Sequence, residues 1–100
     1  MMLVRFHAEA EIEMAEATAY YETHQANLGR RFLTSVQDAI NRIQINPLLF
    51  PMVEFDVRRC KTKIFPFDIL FQIHSGELVV VAVMHLHREP EYWKSRREEM

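Results

Sequence analysis

The stretch VRRCKTKIFPFDILFQIHSGELVVVAVMHLHREPEYWKSR, residues 57–96, decides the fold of this 100-residue chain. It holds three strand-like segments in series and ends in a cluster of His, Arg, Tyr and Trp. The first segment, 57–64, alternates strictly. Val57, Arg59, Lys61 and Lys63 share one face, and Arg58, Cys60, Thr62 and Ile64 the other. One side of this strand is basic and the other can bury. Phe65-Pro66-Phe67 interrupts it, because proline has no N–H to donate to a ladder. Phe67, Ile69, Phe71 and Ile73 then line one face of the next strand. Ser75-Gly76 forms a tight hairpin turn in which glycine supplies a positive φ. The last segment, 78–86, is apolar on both faces until His85 and His87. Glu89-Pro90 opens a final helical turn or two through Arg97.

Upstream of this sheet the period changes. Residues 3–6 read as a short first strand. From Ala8 onward, Ala8, Ile12, Ala15 and Ala19 recur at helical spacing with Glu9, Glu11, Glu13 and Glu16 around them. Acids in the first turns also suit the positive end of a helix dipole. This helix runs to about Glu22, and Asn27 is placed to cap the next one. The second helix carries Leu28, Phe32, Val36, Ile40 and Ile43 on one stripe, broadened by Leu33 and Ala39. Asn46-Pro47 ends it, since the residue before proline is pushed out of the α region. A short connection makes the two helices an antiparallel hairpin. Residues 48–56, between Pro47 and the sheet, read as a loop. The order is βααβββ plus a short helical tail, an α+β fold in two layers. A helix hairpin covers a mostly antiparallel four-stranded sheet, and residues 1–100 form one small domain.

Composition narrows the function. Hydrophobic residues make up 49% of the chain and charged residues 26%, a globular balance. The net charge of −2 provides no global field to attract nucleic acid or anionic lipid. Any attraction to phosphate must be local. The lone cysteine, Cys60, cannot form an intrachain disulfide and sits on the burying side of its strand, an inert thiol. No apolar run approaches the roughly 20 residues a bilayer requires. The N-terminus, with Arg5, His7 and Glu9, is neither signal peptide nor anchor, which points to a cytoplasmic protein.

Two groups of residues carry candidate chemistry. Arg59, Lys61 and Lys63 lie about 7 Å apart along one strand face, fit to hold a phosphate run or a pentacoordinate phosphoryl group. The same pattern also serves as a solvated face or a lysine-guarded edge. His85, Arg88 and Tyr92 form the second group. His85 and His87 share a face about 7 Å apart, suited to acid–base work, and Arg88 can grip a phosphate or carboxylate. The competing roles are a hydrogen-bonded structural histidine, an Arg88 paired with Glu89 or Glu91, and a Tyr92 packed beside Trp93. Two histidines without a suitably spaced Cys or carboxylate give no metal site. No cofactor is expected, since the chain has no phosphate-binding glycine loop, nucleophile elbow or metal-binding His-Glu motif.

Four pieces in this order and total length resemble the RelE/ParE superfamily of bacterial type II toxins. They are AEAEIEMAEATAYYE, LGRRFLTSVQDAINRIQINPLLFP, VRRCKTKIFPFDILFQI and VVVAVMHLHREPEYWKSR. The resemblance implies a toxin of the plasmid-stabilisation type that is neutralised by a cognate antitoxin, with segments of the antitoxin wrapping the helix hairpin and the sheet. One branch cleaves mRNA on the ribosome without metal, through attack by the ribose 2′-OH. The other inhibits DNA gyrase without catalysis. On the ribonuclease pattern, Arg59, Lys61 and Lys63 are the substrate-binding cations. Arg88 is the phosphate clamp, and His85 or Tyr92 moves the proton. That mechanism leads, although the slight negative charge and the short Arg88-to-Tyr92 spacing depart from it. Gyrase inhibition is the alternative, and an inactive antitoxin-binding module a third.

Overall fold

The computed structural model describes residues 1–98. The elements are β1 (Val4–Phe6), α1 (Ala8–His24), α2 (Leu28–Ile45), β2 (Met52–Glu54), β3 (Val57–Lys61), β4 (Phe67–His74) and β5 (Glu77–His85). Single 3-10 turns at Pro47–Leu49 and Lys94–Arg96 complete them. The sheet has five strands in the order β1-β5-β4-β3-β2, where four were expected. The additional strand is β2, which falls in the segment read as a loop. It has only three residues, starts after Pro51 and stops at Phe55, whose φ is +53°. A strand that short shows no alternation for a sequence to reveal. The sheet is antiparallel except where β1 runs parallel to β5.

The central strands are apolar on both faces because both faces are covered. On one side, Cys60, Phe67, Ile69, Phe71, Leu78, Val80 and Val83 meet the helices. On the other, Val57, Leu70, Val81 and Ala82 lie under Trp93, which is fully buried. The segment after β5 thus returns across the open sheet face, and the Trp93 indole N–H donates to Pro90 O at 2.8 Å. Gln72, also on this side and fully buried, exchanges two hydrogen bonds with the Glu98 backbone. The β4–β5 register slips at Val81, which stands between Ala82 opposite Leu70 and Val80 opposite Phe71. The bulge turns Val81 and Ala82 towards the same tail-covered cluster.

α2 presents the expected stripe of Phe32, Val36, Ile40 and Ile43, with Ala39 beside it, whereas Leu33 remains 40% exposed. α1 does not. Ala8, Ile12, Ala15 and Ala19 face outward, and the inward residues are Ala10, Met14, Ala17 and Tyr21. Glu13 lies on that inward side and breaks the apolar spacing that would have revealed it. The start of α2 differs too. Asn27 has φ +72° and its side chain caps nothing. Glu22 does the capping from the end of α1, accepting from Asn27 N at 2.9 Å and Gly29 N at 3.0 Å. The basic strand is also shorter than its alternation suggested. β3 ends at Lys61, so Lys63 lies beyond it, while Ile64 sits at φ +76° and is 82% exposed. Val57, assigned to the basic face, is buried beneath the tail.

Gly29 marks the closest approach of the two helices. A Cβ there would stand 2.7 Å from the Thr18 carbonyl oxygen, a backbone atom that cannot swing aside. Gly29→Ala is therefore expected to destabilise the fold by roughly 1–3 kcal/mol, despite alanine's helix preference of about 1 kcal/mol. The measurement is the urea midpoint, which should fall at unchanged slope.

Candidate functional site

A cleft of about 470 Å³ opens between α1, the end of β5 and the tail. Its floor is apolar and aromatic, made by Ala17, Tyr20, Tyr21, Phe67 and Val83, and its rim is polar, with Glu13, Glu16, His85 and Arg88. Tyr92 closes the wall. The fold thus brings His85, Arg88 and Tyr92 together on one cleft.

Each of the three is engaged locally. His85 is the last residue of β5, its ring edge-on to Phe67 at 5.1 Å between centroids. Its Nδ1 accepts the His87 backbone N–H at 3.0 Å, which leaves Nε2 as the outward nitrogen. The Arg88 N–H donates to His85 O at 3.0 Å, so a tight turn carries Arg88 back over the cleft. Its guanidinium lies 4.0 Å from the centre of the Tyr92 ring, a cation–π contact. Arg96 approaches the same ring at 4.8 Å. The Tyr92 hydroxyl is buried with no hydrogen-bond partner at ordinary distance. Burial, then the neighbouring Glu13 carboxylate, raises its pKa, so the phenol keeps its proton near neutral pH.

The wall stands because of an ion pair that motif reading missed. Arg96 Nη1 lies 2.9 Å from Glu13 Oε1 and Nη2 3.1 Å from Oε2, with both side chains nearly buried. Glu13 Oε1 also accepts the Val83 N–H at 3.0 Å, and Arg96 donates to Val81 O at 3.3 Å. Burial opposes charge on Arg96, but its bonds to Glu13 more than offset that and its pKa is raised. β1 pairs only with Leu78, Val79 and Val80 of β5, so this pair satisfies backbone groups just past the end of β1. The available signal was helical spacing alone: Glu13 falls between Ala10 and Ala17 on the buried face.

Arg59, Lys61 and Lys63 do not converge on the cleft. Arg59 Nη1 stands 3.9 Å from Oδ2 of Asp68, a carboxylate 1% exposed whose Oδ1 has no hydrogen-bond partner. Lys61 pairs across the strands with the same Asp68. These two cations serve as countercharge for a buried acid. Lys63 borders a different cleft with Arg31, Thr34 and Ser35, its Nζ 3.9 Å from Asp38 Oδ2. Cys60 is buried, and burial raises its pKa, as befits an unreactive thiol. Among the described residues no three His, Cys, Asp or Glu side chains group to hold a metal ion, and no helix is long and apolar enough to cross a membrane.

Comparison with known proteins bears on the family and the fold. A family model described as the ParE toxin of type II toxin–antitoxin system, parDE, matches residues 4–90. The chain belongs to the ParE toxin family. It is the toxin half of a two-protein system, and an antitoxin partner follows from that membership. A solved structure titled as a chromosomal ParDE TA system from P. aeruginosa superposes on it with a TM-score of 0.65 at 16% identity, covering 87% of this chain and 98% of the other. At that identity the likeness concerns the fold. No curated protein sequence matches the chain.

Two measurements probe this ParE fold. Arg96→Ala leaves Glu13 nearly buried and unpaired, and the expected loss is about 3 kcal/mol in thermal or urea unfolding. Arg5→Ala, which removes more exposed bonds to Glu77 and Glu98, should cost clearly less. Burial raises the pKa of Asp68 above the ordinary carboxylate value, so folding favours its protonated form. Its contribution is greatest in acid and is lost as pH rises through the raised pKa. Asp68→Asn should therefore raise the melting temperature at pH 7, with the gain vanishing below the ordinary carboxylate range.

Proposed function

We propose that this ParE-family chain is a single toxin domain, residues 1–100, that stops growth by binding DNA gyrase without catalysis and is held in check by its cognate antitoxin. The observation that carries this reading is the separation of the strand cations from the cleft. Attack by a 2′-OH on phosphate needs a base, an acid and stabilisation of developing negative charge at one place. Here Arg59 and Lys61 face the buried Asp68, and Lys63 borders another cleft. Among the described residues Arg88 is the one Lys or Arg that lines the cleft, and the Glu16 carboxylate lines the same space while Glu13 is paired with Arg96. Glu16 would repel an entering phosphate. Tyr92 holds its proton, and His85 has a ring nitrogen occupied by the backbone. An aromatic floor ringed by mixed charges suits a protein side chain better than an RNA backbone.

The second reading is ribosome-dependent mRNA cleavage. It is favoured by one observation, the convergence of His85, Arg88 and Tyr92 on a single cleft. In that reading Arg88 clamps the phosphate while His85 or Tyr92 moves the proton. Localisation to the cytoplasm, where gyrase and ribosomes both work, belongs to either proposal.

Purified protein added to a supercoiling reaction should inhibit gyrase, while mapped RNA 5′ ends in induced cells should show no new cleavage sites. Unchanged supercoiling at excess toxin, together with new 5′ ends, would reverse the order of the two readings. Arg88→Ala should weaken toxicity at least tenfold with an unchanged melting temperature, because Arg88 is exposed and its side chain rests on the Tyr92 ring. A large drop in melting temperature would make Arg88 a structural residue instead.

A further inference from the structure

Among the described residues, the longest run of exposed apolar side chains spans the end of α2 and the β2 edge of the sheet. Ile45, Leu48, Leu49, Met52, Val53 and Phe55 are exposed by 45–82%, all within eleven residues. Elsewhere the exposed large apolar residues beyond the N-terminus, such as Ile12, Leu33 and Leu86, stand far apart in sequence. Within this run Phe50 turns inward, its ring 6.0 Å from that of Phe71, so its neighbours are left outside. β2 lies at this edge with β3 as its one partner, and its outer backbone is open. Exposed apolar patches of this kind mark association surfaces, and open edges are templates for pairing.

The charges around the patch say what it fits. Lys94 Nζ is 2.9 Å from Glu54 Oε2. Arg58 donates to Phe50 O at 2.7 Å and to Leu48 O at 3.5 Å. The Arg97 guanidinium lies over the Phe55 ring at 4.3 Å and 3.9 Å from Asp56. Lys94 and Arg97 are thus set against carboxylates, and Arg58 is turned onto backbone carbonyls of its own chain. A strongly charged partner would give up hydration there and have to displace these contacts. A neutral apolar face meets no such penalty, and the same face on a second molecule is one.

We propose that residues 45–55 join two copies of this chain in an isologous dimer, with β2 against β2 across a two-fold axis. Pro51 and the left-handed Phe55 limit the ladder to three residues, so the apolar side chains supply most of the affinity. A stable interface buries about 800 Å² per partner, about one-eighth of the chain's 6071 Å² surface. This edge lies across the sheet from β5, so the dimer leaves the cleft of His85, Arg88 and Tyr92 open and does not depend on the toxin reading.

Sedimentation velocity on the purified full chain tests this. The expected result is a mass that rises with concentration from 11.9 kDa towards twice that value. Leu49→Glu with Val53→Lys should raise the dimer dissociation constant at least tenfold, with circular dichroism and melting temperature unchanged because both side chains are exposed. Glu54→Lys, which sets like charges around the axis, should weaken the dimer as well. A wild-type monomer up to millimolar concentration overturns the proposal. So does a dimer that survives the double substitution. Protection of residues 45–55 from hydrogen exchange only when antitoxin is added, and never on self-association, would also overturn it and assign the face to the antitoxin.

Discussion

The near-buried pair of Glu13 and Arg96 is the contact on which the candidate site depends. One carboxylate binds a guanidinium through both oxygens and also takes the N–H of Val83, while the guanidinium reaches Val81 O. Helix α1, the unpaired reach of β5 and the returning tail are thereby fastened at one point. A charge so placed is costly to desolvate, and it is stable because every one of its strong partners is present. The cleft exists because of this fastening. Tyr92 and Arg88 belong to the tail, Tyr20 and Tyr21 to the helix, and His85 to the strand. Arg88 and Tyr92 would no longer face Tyr20, Tyr21 and His85 if the tail were released.

That fastening also bears on the electrostatics of the site. Arg96 adds no net positive charge to the cleft, because Glu13 neutralises it. Arg59 and Lys61 are drawn to the buried Asp68 on the other face of the sheet. What remains at the rim is Arg88, resting on an aromatic ring, opposite the unpaired carboxylate of Glu16. A cleft of mixed sign over an aromatic floor gives selective grip on a protein surface and little hold on a polyanion.

Much of the architecture was legible in short-range pattern. The stripe of α2, the proline that ends it, the Ser75-Gly76 turn and the apolar run of β5 each depend on residues within a few positions of one another. So did the placing of His85, Arg88 and Tyr92 in one region, because a tight turn after β5 keeps them near in sequence. The errors have specific physical causes. In α1 alanines occur on several faces, and the decisive inward residue is a glutamate whose partner lies 83 positions away. The short β2 gains its identity from pairing with β3, and three residues hold no period of their own. The basic alternation of 57–64 was real, but alternation alone cannot reveal that a buried Asp68 stands across from it.

Sequence alone determined the two helices, four of the five strands and the apolar character of both faces of β5, and its pieces in order resembled a toxin of the RelE/ParE superfamily. The elements are consequences of period and turn chemistry, both local along the chain. Only the tertiary structure decided which face of α1 is buried, what covers the second face of the sheet, and which cations share a site with His85, Arg88 and Tyr92. These follow from contacts between residues distant in sequence, where one charge commits another and no spacing records the commitment.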